Sequence, residues 1–148
     1  MKHYGIKLGI LAIASVLIVG CSQSAENEQK IADRWYTQSQ VDKGQVVFDK
    51  NCLECHGQQA QGITADWKKT LPDGSYPPPP LNGSAHAWHH PKKLLKRTIN
   101  KGGIPLGGQM PPFKDVLTDD EKENVIAYFQ SLWNNKVYNA WLQRGGLK

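Results

Sequence analysis

The chain has 148 residues, a length that suits one domain with a modest hydrophobic core. Its 18 basic and 13 acidic residues give a formal net charge of +5. No basic stretch alternates with aromatic residues as a nucleic-acid platform would require, so the charge does not indicate a nucleic-acid partner.

The N-terminus has the pattern of an export signal. Lys2 and Lys7 form a basic start, and the apolar run from Leu8 to Gly20 is too short to span a bilayer but suits a signal-peptide core. The run ends in Ile18-Val19-Gly20-Cys21, which resembles the lipobox of bacterial lipoproteins. That resemblance implies cleavage before Cys21 and a thioether link from its sulfur to diacylglycerol, which would anchor the mature protein to a membrane surface. Cleavage after Ala25 is the alternative.

The first predicted helix starts near Thr37, because Thr37-Gln38-Ser39-Gln40 matches a capping box. Its apolar face is formed by residues at helical spacing: Val41, Gly44, Val47 and Phe48. The helix leads directly into the segment that carries the clearest chemical motif of the chain.

That segment contains the sequence C-x-x-C-H, formed by Cys52, Cys55 and His56, which is the attachment motif of c-type haem. Two thiols three positions apart can reach both vinyl groups on one porphyrin edge, and His56 then supplies the proximal ligand of iron. A thioredoxin-like pair would sit in a βαβ pattern, which the sequence lacks. A cysteine-rich zinc site would need a second cysteine pair, and no cysteine follows Cys55. The motif therefore predicts one covalently bound haem c.

A long segment without helical periodicity follows the motif and includes four consecutive prolines at positions 77–80. Three histidines come next: His86, His89 and His90. One of them could be a second axial ligand of the haem iron, or together they could form a surface copper or zinc site. The simpler interpretation is that they contact a haem propionate or the backbone. The second predicted helix follows Pro91 and ends at Gly102-Gly103.

Met110 is the candidate for the second axial ligand, since it is the only methionine after Met1. It lies in Gly107-Gly108-Gln109-Met110-Pro111-Pro112-Phe113. The glycines allow the backbone to approach a porphyrin face, and the prolines favour an extended conformation at Met110. The alternative is a methionine that fills a gap in the core, but this segment forms no packed helical stripe.

The third predicted helix starts at Thr118, where Glu121 completes a second capping box. Its apolar stripe consists of Val125, Ile126, Phe129, Leu132 and Trp133. The tail after Asn134 carries apolar residues at positions 137, 138, 141 and 142, a spacing that fits a short helix packed on the body.

The order of these segments resembles the class I cytochrome c family over residues 41–133. That family has an N-terminal helix, C-x-x-C-H, a Pro-x-Leu-x-Gly segment, a middle helix, a methionine loop and a C-terminal helix. Here Pro79-Pro80-Leu81-Asn82-Gly83 matches the third of these. The resemblance implies that the Pro79 carbonyl accepts a hydrogen bond from His56 and that Leu81 packs on the haem. It also implies an all-α fold, with three main helices and long loops around one haem.

The predicted organisation has four parts. Residues 1–20 are a signal peptide, 21–40 a polar tether, 41–134 the cytochrome c domain and 135–148 a C-terminal tail. The long insert between Gly57 and Pro77, and the tail, depart from the family pattern. Both departures concern the surface that would meet partners.

The resulting hypothesis is an electron carrier and not an enzyme, with redox proteins as donor and acceptor and no small-molecule substrate. Export and the lipid anchor predict a location on the periplasmic side of a bacterial membrane. Ser22 stands where many inner-membrane lipoproteins have a retaining Asp, which favours the outer membrane. Two alternatives remain: a haem-based sensor or enzyme with a displaceable Met110, and an accessory metal-handling subunit of a respiratory complex.

Overall fold

The computed structural model describes residue 1 and residues 31–148, so the predicted signal peptide and Cys21 lie outside the described residues. The regular elements of the described part are helices: α1 (Gln38–Asn51), α2 (Leu53–His56), α3 (Lys92–Lys101), α4 (Asp119–Ser131) and α5 (Asn135–Gln143). Short 3-10 turns occupy Ala87–His89 and Ile104–Leu106. An isolated parallel bridge also pairs Tyr76 with Gly108. The predicted all-α fold is confirmed.

Both predicted capping boxes are present and fix the starts of α1 and α4. The Thr37 hydroxyl accepts a bond from the Gln40 amide, and the Gln40 side chain accepts one from the Thr37 amide. Thr118 and Glu121 make the same reciprocal pair at α4. These bonds satisfy amide groups that have no partner within the helix. Tyr36, just before α1, is fully buried, so the packed body begins N-terminal to residue 41.

Helices α1 and α4 cross in close contact at Gly44. A Cβ atom at this position would overlap the backbone carbonyl of Asn124, so the approach requires glycine. Next to the crossing, the rings of Phe48 and Tyr128 lie 5.0 Å apart between centroids. The pair of helices forms the main apolar wall of the molecule, with these residues buried: Val41, Val47, Phe48, Val125, Ile126 and Phe129. Because α1 ends at Asn51, this wall also positions the haem motif.

Helix α3 is joined to α4 by ion pairs. Glu123 lies 2.7 Å from the Lys92 ammonium and 3.3 Å from that of Lys96. The Lys92 ammonium also lies 4.1 Å from the centroid of the Trp35 ring. Lys92, Lys93, Lys96 and Arg97 form a basic run in α3, and two of these four residues are therefore engaged in helix packing.

The C-terminal helix α5 is packed on the body. Tyr138 and Trp141 are each only 1% exposed. The Tyr138 hydroxyl accepts a hydrogen bond from the Trp35 amide at 2.9 Å, and the Trp141 indole N–H donates to the His90 carbonyl at 2.8 Å. Helix α5 thus joins the segment before α1 to the segment before α3.

Candidate haem site

A cavity of about 720 Å³ lies between the haem motif, the proline-rich segment, α3, the Met110 loop and α4. Its lining includes all six residues predicted to contact the cofactor: Cys52, Cys55, His56, Pro79, Leu81 and Met110. These residues come from three separate stretches of the sequence. The volume falls within the range of roughly 300–1,000 Å³ that is usual for small-molecule and cofactor sites.

The haem motif is built on one short helical turn after α1. The amides of Cys55 and His56 both donate to the Cys52 carbonyl, at 3.2 and 2.9 Å. This turn brings two thiols and one imidazole to the same cavity. Neither cysteine is in a disulfide bond.

Burial, with the neighbouring Cys55 acting in the same direction, raises the pKa of the Cys52 thiol to about 11. Redox-active C-x-x-C pairs have lowered cysteine pKa values, because the thiolate is the reactive species. The Cys52 thiol therefore lacks the lowered pKa of a reactive C-x-x-C thiolate.

His56 is buried, and its Nδ1 lies 3.2 Å from the Pro79 carbonyl oxygen. Because a carbonyl can only accept, this contact requires the proton to be on Nδ1. Nε2 then keeps its lone pair, as a metal ligand must. Burial lowers the pKa of His56, and the bond to Pro79 opposes that shift. The imidazole is thus neutral and held in the tautomer that can bind iron.

The loop that carries Met110 folds back on itself. The Gly103 amide donates to the Met110 carbonyl at 2.9 Å, and the Gly108 amide donates to the Gly103 carbonyl at 3.0 Å. Gly102 has φ of +74°, and a Cβ atom there would press on the Met110 carbonyl. The glycines of this region therefore allow two chain segments to meet closely, and Met110 contributes to the cavity lining as a result.

Two residues that support Leu81 could not be assigned a role from sequence alone. The Ala60 carbonyl accepts bonds from the amides of Leu81 and Asn82, at 2.7 and 3.2 Å. The Trp133 indole N–H donates to the Leu81 carbonyl at 2.7 Å. Ala60 is buried and has φ of +52°, which is unusual for a residue with a side chain. The sequence predicts Trp133 only as part of an apolar stripe and gives no signal at Ala60.

His86 and His90 line the cavity, together with Trp67 and Lys68 from the insert. The His86 and Trp67 rings are stacked with their centroids 4.7 Å apart. The buried Nδ1 of His86 has no hydrogen-bond partner among the described residues. Burial and the charges of His90, His89 and Lys68 lower the pKa of His86. Within residues 31–148 no group of three or more His, Cys, Asp or Glu side chains is placed so that it could share a metal ion.

The residues around the cavity fit haem c. The lining combines two thiols for covalent attachment, an imidazole with a free Nε2, a thioether and an apolar wall from Leu95, Ile99, Phe113 and Phe129. The unpartnered His86 Nδ1 would gain a partner from a carboxylate of the porphyrin edge.

Fold and site together define a c-type cytochrome. Residues 39–129 match the family described as cytochrome c oxidase, cbb3-type, subunit III, and the chain belongs to that family. Its cofactor is therefore haem c, with iron as the metal, and electron transfer is the function of this class.

The chain is similar to oxidase subunits and to a small cytochrome. It is 32% identical over 111 residues to the cbb3-type cytochrome c oxidase subunit FixP of Sinorhizobium medicae, a match covering 71% of this chain and 34% of FixP. It is 31% identical over 96 residues to the cbb3-type cytochrome c oxidase subunit CcoP of Azospirillum brasilense, a match covering 65% of this chain and 30% of CcoP. Cytochrome c-551 of Bacillus subtilis is 25% identical over 128 residues, a match covering 84% of this chain and 95% of cytochrome c-551. The chain thus spans about a third of the length of FixP and CcoP. No solved structure matches the chain significantly.

Proposed function

We propose that the chain carries single electrons on one haem c, with His56 and Met110 as axial ligands, in an electron-transport chain outside the cytoplasm. The observation that supports this most strongly is the shared cavity of Cys52, Cys55, His56 and Met110. The iron of haem c supplies a one-electron ferric/ferrous couple.

The protein's own part in this function is to hold the haem in place and to shield it from water. Cys52 and Cys55 fix the cofactor, and the bond from His56 to Pro79 keeps Nε2 available as a ligand. Leu81, Phe113 and the buried side chains of α4 keep one side of the cavity apolar. No acid, base or nucleophile is needed, because no substrate bond is made or broken.

The test compares the oxidised and reduced visible spectra of the haem-loaded protein, with and without carbon monoxide. We expect one covalent haem per chain, a weak long-wavelength band from sulfur to ferric iron, and a reduced spectrum that carbon monoxide leaves unchanged. A reduced form that binds carbon monoxide readily would instead support the sensor or enzyme alternative, since an open or displaceable position is needed for such a ligand.

The partners are redox proteins. Different relatives support two ways of working with them, as a separate carrier or in association with an oxidase. The match to nearly all of cytochrome c-551 favours a small stand-alone carrier, whereas the matches to FixP and CcoP favour work beside a cbb3-type oxidase. Size-exclusion chromatography of a gentle detergent extract separates these arrangements, because the haem of this chain elutes either alone or with the oxidase.

The basic run of α3 is one candidate docking surface for a redox partner, and the ion pairs of two of its lysines limit that role. Lys92 and Lys96 are paired with Glu123, whereas Lys93 and Arg97 have no ion-pair partner among the described residues. Charge-steered redox encounters depend on such unpaired surface charges. The ion pairs to Glu123 therefore weaken the α3 face as a docking surface.

Attachment to the periplasmic side of a membrane through lipid on Cys21 completes the proposal. None of the described helices is long and apolar enough to cross a bilayer. We expect mass spectrometry of the mature protein to find an N-terminal Cys21 carrying diacylglycerol, and the Cys21→Ser variant to lose membrane association. A mature chain that begins at Glu26 would show ordinary cleavage after Ala25 instead. Ser22→Asp is the matched control, which should keep the lipid and move a protein of the outer membrane to the inner membrane.

A further inference from the structure

A network of side-chain hydrogen bonds joins the insert to the loop that carries Met110. The Gln109 amide nitrogen donates to an Asp73 carboxylate oxygen at 2.8 Å and to the Ser75 hydroxyl at 2.9 Å. The other Asp73 oxygen accepts from the Ser75 amide and hydroxyl, at 2.9 and 2.7 Å. Gln109 is the immediate neighbour of Met110, so this network contacts the chain next to the proposed ligand.

Backbone bonds hold both sides of this network in place. The Leu71 amide donates to the Ser75 carbonyl at 2.8 Å, which closes residues 71–75 into a turn. The Tyr76 amide then donates to the Gly107 carbonyl at 2.7 Å. Two chain segments that are more than thirty residues apart are thus joined by both backbone and side-chain bonds.

The charge of Asp73 favours the same arrangement. Hydrogen bonds from the Ser75 hydroxyl and amide hold the pKa of Asp73 below its usual range, and the bond from Gln109 acts in the same direction. Asp73 is therefore ionised at neutral pH and remains an acceptor for both partners.

We propose that residues 71–76 form a clamp that holds the Met110 loop closed, with Gln109 as the positioning residue through which the clamp acts. The inference rests on the proposed ligation by Met110. Loops at functional sites open with free energies far below that of global unfolding. An axial ligand on such a loop can be displaced whenever the loop opens, so bonds that close the loop set how readily an outside ligand competes. The clamp thus assigns a function to the insert, which lies outside the family pattern.

The test measures the affinity of the ferric, haem-loaded protein for added imidazole, which competes with Met110 for the iron. Gln109→Glu sets a carboxylate against Asp73 and should tighten imidazole binding by on the order of tenfold, since it replaces two hydrogen bonds by repulsion. Asp73→Asn should tighten it less. The double variant Asp73→Asn with Gln109→Glu reverses donor and acceptor and should restore most of the wild-type value.

The matched control is Gln45→Glu, the same chemical change at an exposed position of α1. It should leave imidazole binding unchanged, and the thermal midpoints of unfolding of all variants should remain close together. Unchanged imidazole binding in Gln109→Glu, or a change that merely follows a lowered unfolding midpoint, would overturn the clamp and leave the ligation intact. A wild-type ferric spectrum without the sulfur-to-iron band would overturn the ligation by Met110 and the clamp with it.

Discussion

Replacement of Met110 by alanine is expected to remove the sulfur-to-iron band, to allow carbon monoxide to bind the reduced protein and to lower the reduction potential. The potential should fall by on the order of 0.1–0.3 V, a fraction of the roughly 0.8 V range that axial ligands impose on haem. The physical reason is that a thioether favours ferrous iron. Met110 is the only methionine after Met1, so no second thioether is present to replace it in the variant. Visible spectroscopy and a redox titration of the haem-loaded variant measure all three effects.

The appropriate controls for this variant are the histidines that line the same cavity. His86 and His90 line the cavity, but neither is a ligand in the proposed ligation by His56 and Met110. His86→Ala and His90→Ala should therefore both retain the sulfur-to-iron band. If Met110→Ala leaves the spectrum unchanged while one of the histidine variants alters it, the haem has two histidine ligands and the assignment of Met110 is wrong.

Replacement of Gly44 by alanine is expected to destabilise the fold by about 3 kcal/mol, toward the upper end of the usual cost of overpacking a tight contact. The added methyl group would overlap the Asn124 carbonyl, which belongs to the backbone of α4 and cannot rotate away as a side chain could. For a domain of this size such a loss corresponds to a fall of roughly 10–20 °C in the midpoint of thermal unfolding.

The matched control is Val46→Ala on the same helix, where the side chain is 69% exposed. It should change stability by less than about 0.5 kcal/mol, as surface substitutions usually do. Equal unfolding midpoints for Gly44→Ala and Val46→Ala would mean that α1 and α4 are less closely packed than the structure indicates.

The parts of the fold that could be predicted from sequence are those governed by local rules. The Thr37 and Thr118 capping boxes join residues three positions apart, and the haem motif is contained in one helical turn. Met110 could be proposed as an iron ligand because the glycines and prolines beside it in the sequence determine the local backbone conformation. In each case the necessary information lies within a few residues.

The parts that could not be predicted depend on contacts between distant segments. The stacking of Trp67 on His86 and the bonds from Gln109 to Asp73 and Ser75 join an aperiodic insert to segments with no complementary pattern. The ion pairs from α3 to Glu123 likewise follow from how two helices are packed. The buried Ala60 has a positive φ, a conformation that glycine usually marks in a sequence. Because the residue is alanine, the sequence does not indicate this conformation.

The contacts that α4, α5 and the residues between them make with residues 34–51 bear on the order in which the chain can fold. Arg34 donates to the Trp133 carbonyl and Trp35 to the Tyr138 hydroxyl, while α1 packs on α4, so segments synthesised early have partners that are synthesised last. The core therefore closes only after residues 119–143 have been synthesised. Until then residues 52–56 belong to an open chain, in which the Cys52 thiol, only partly exposed in the folded structure, is accessible for attachment of a large planar cofactor.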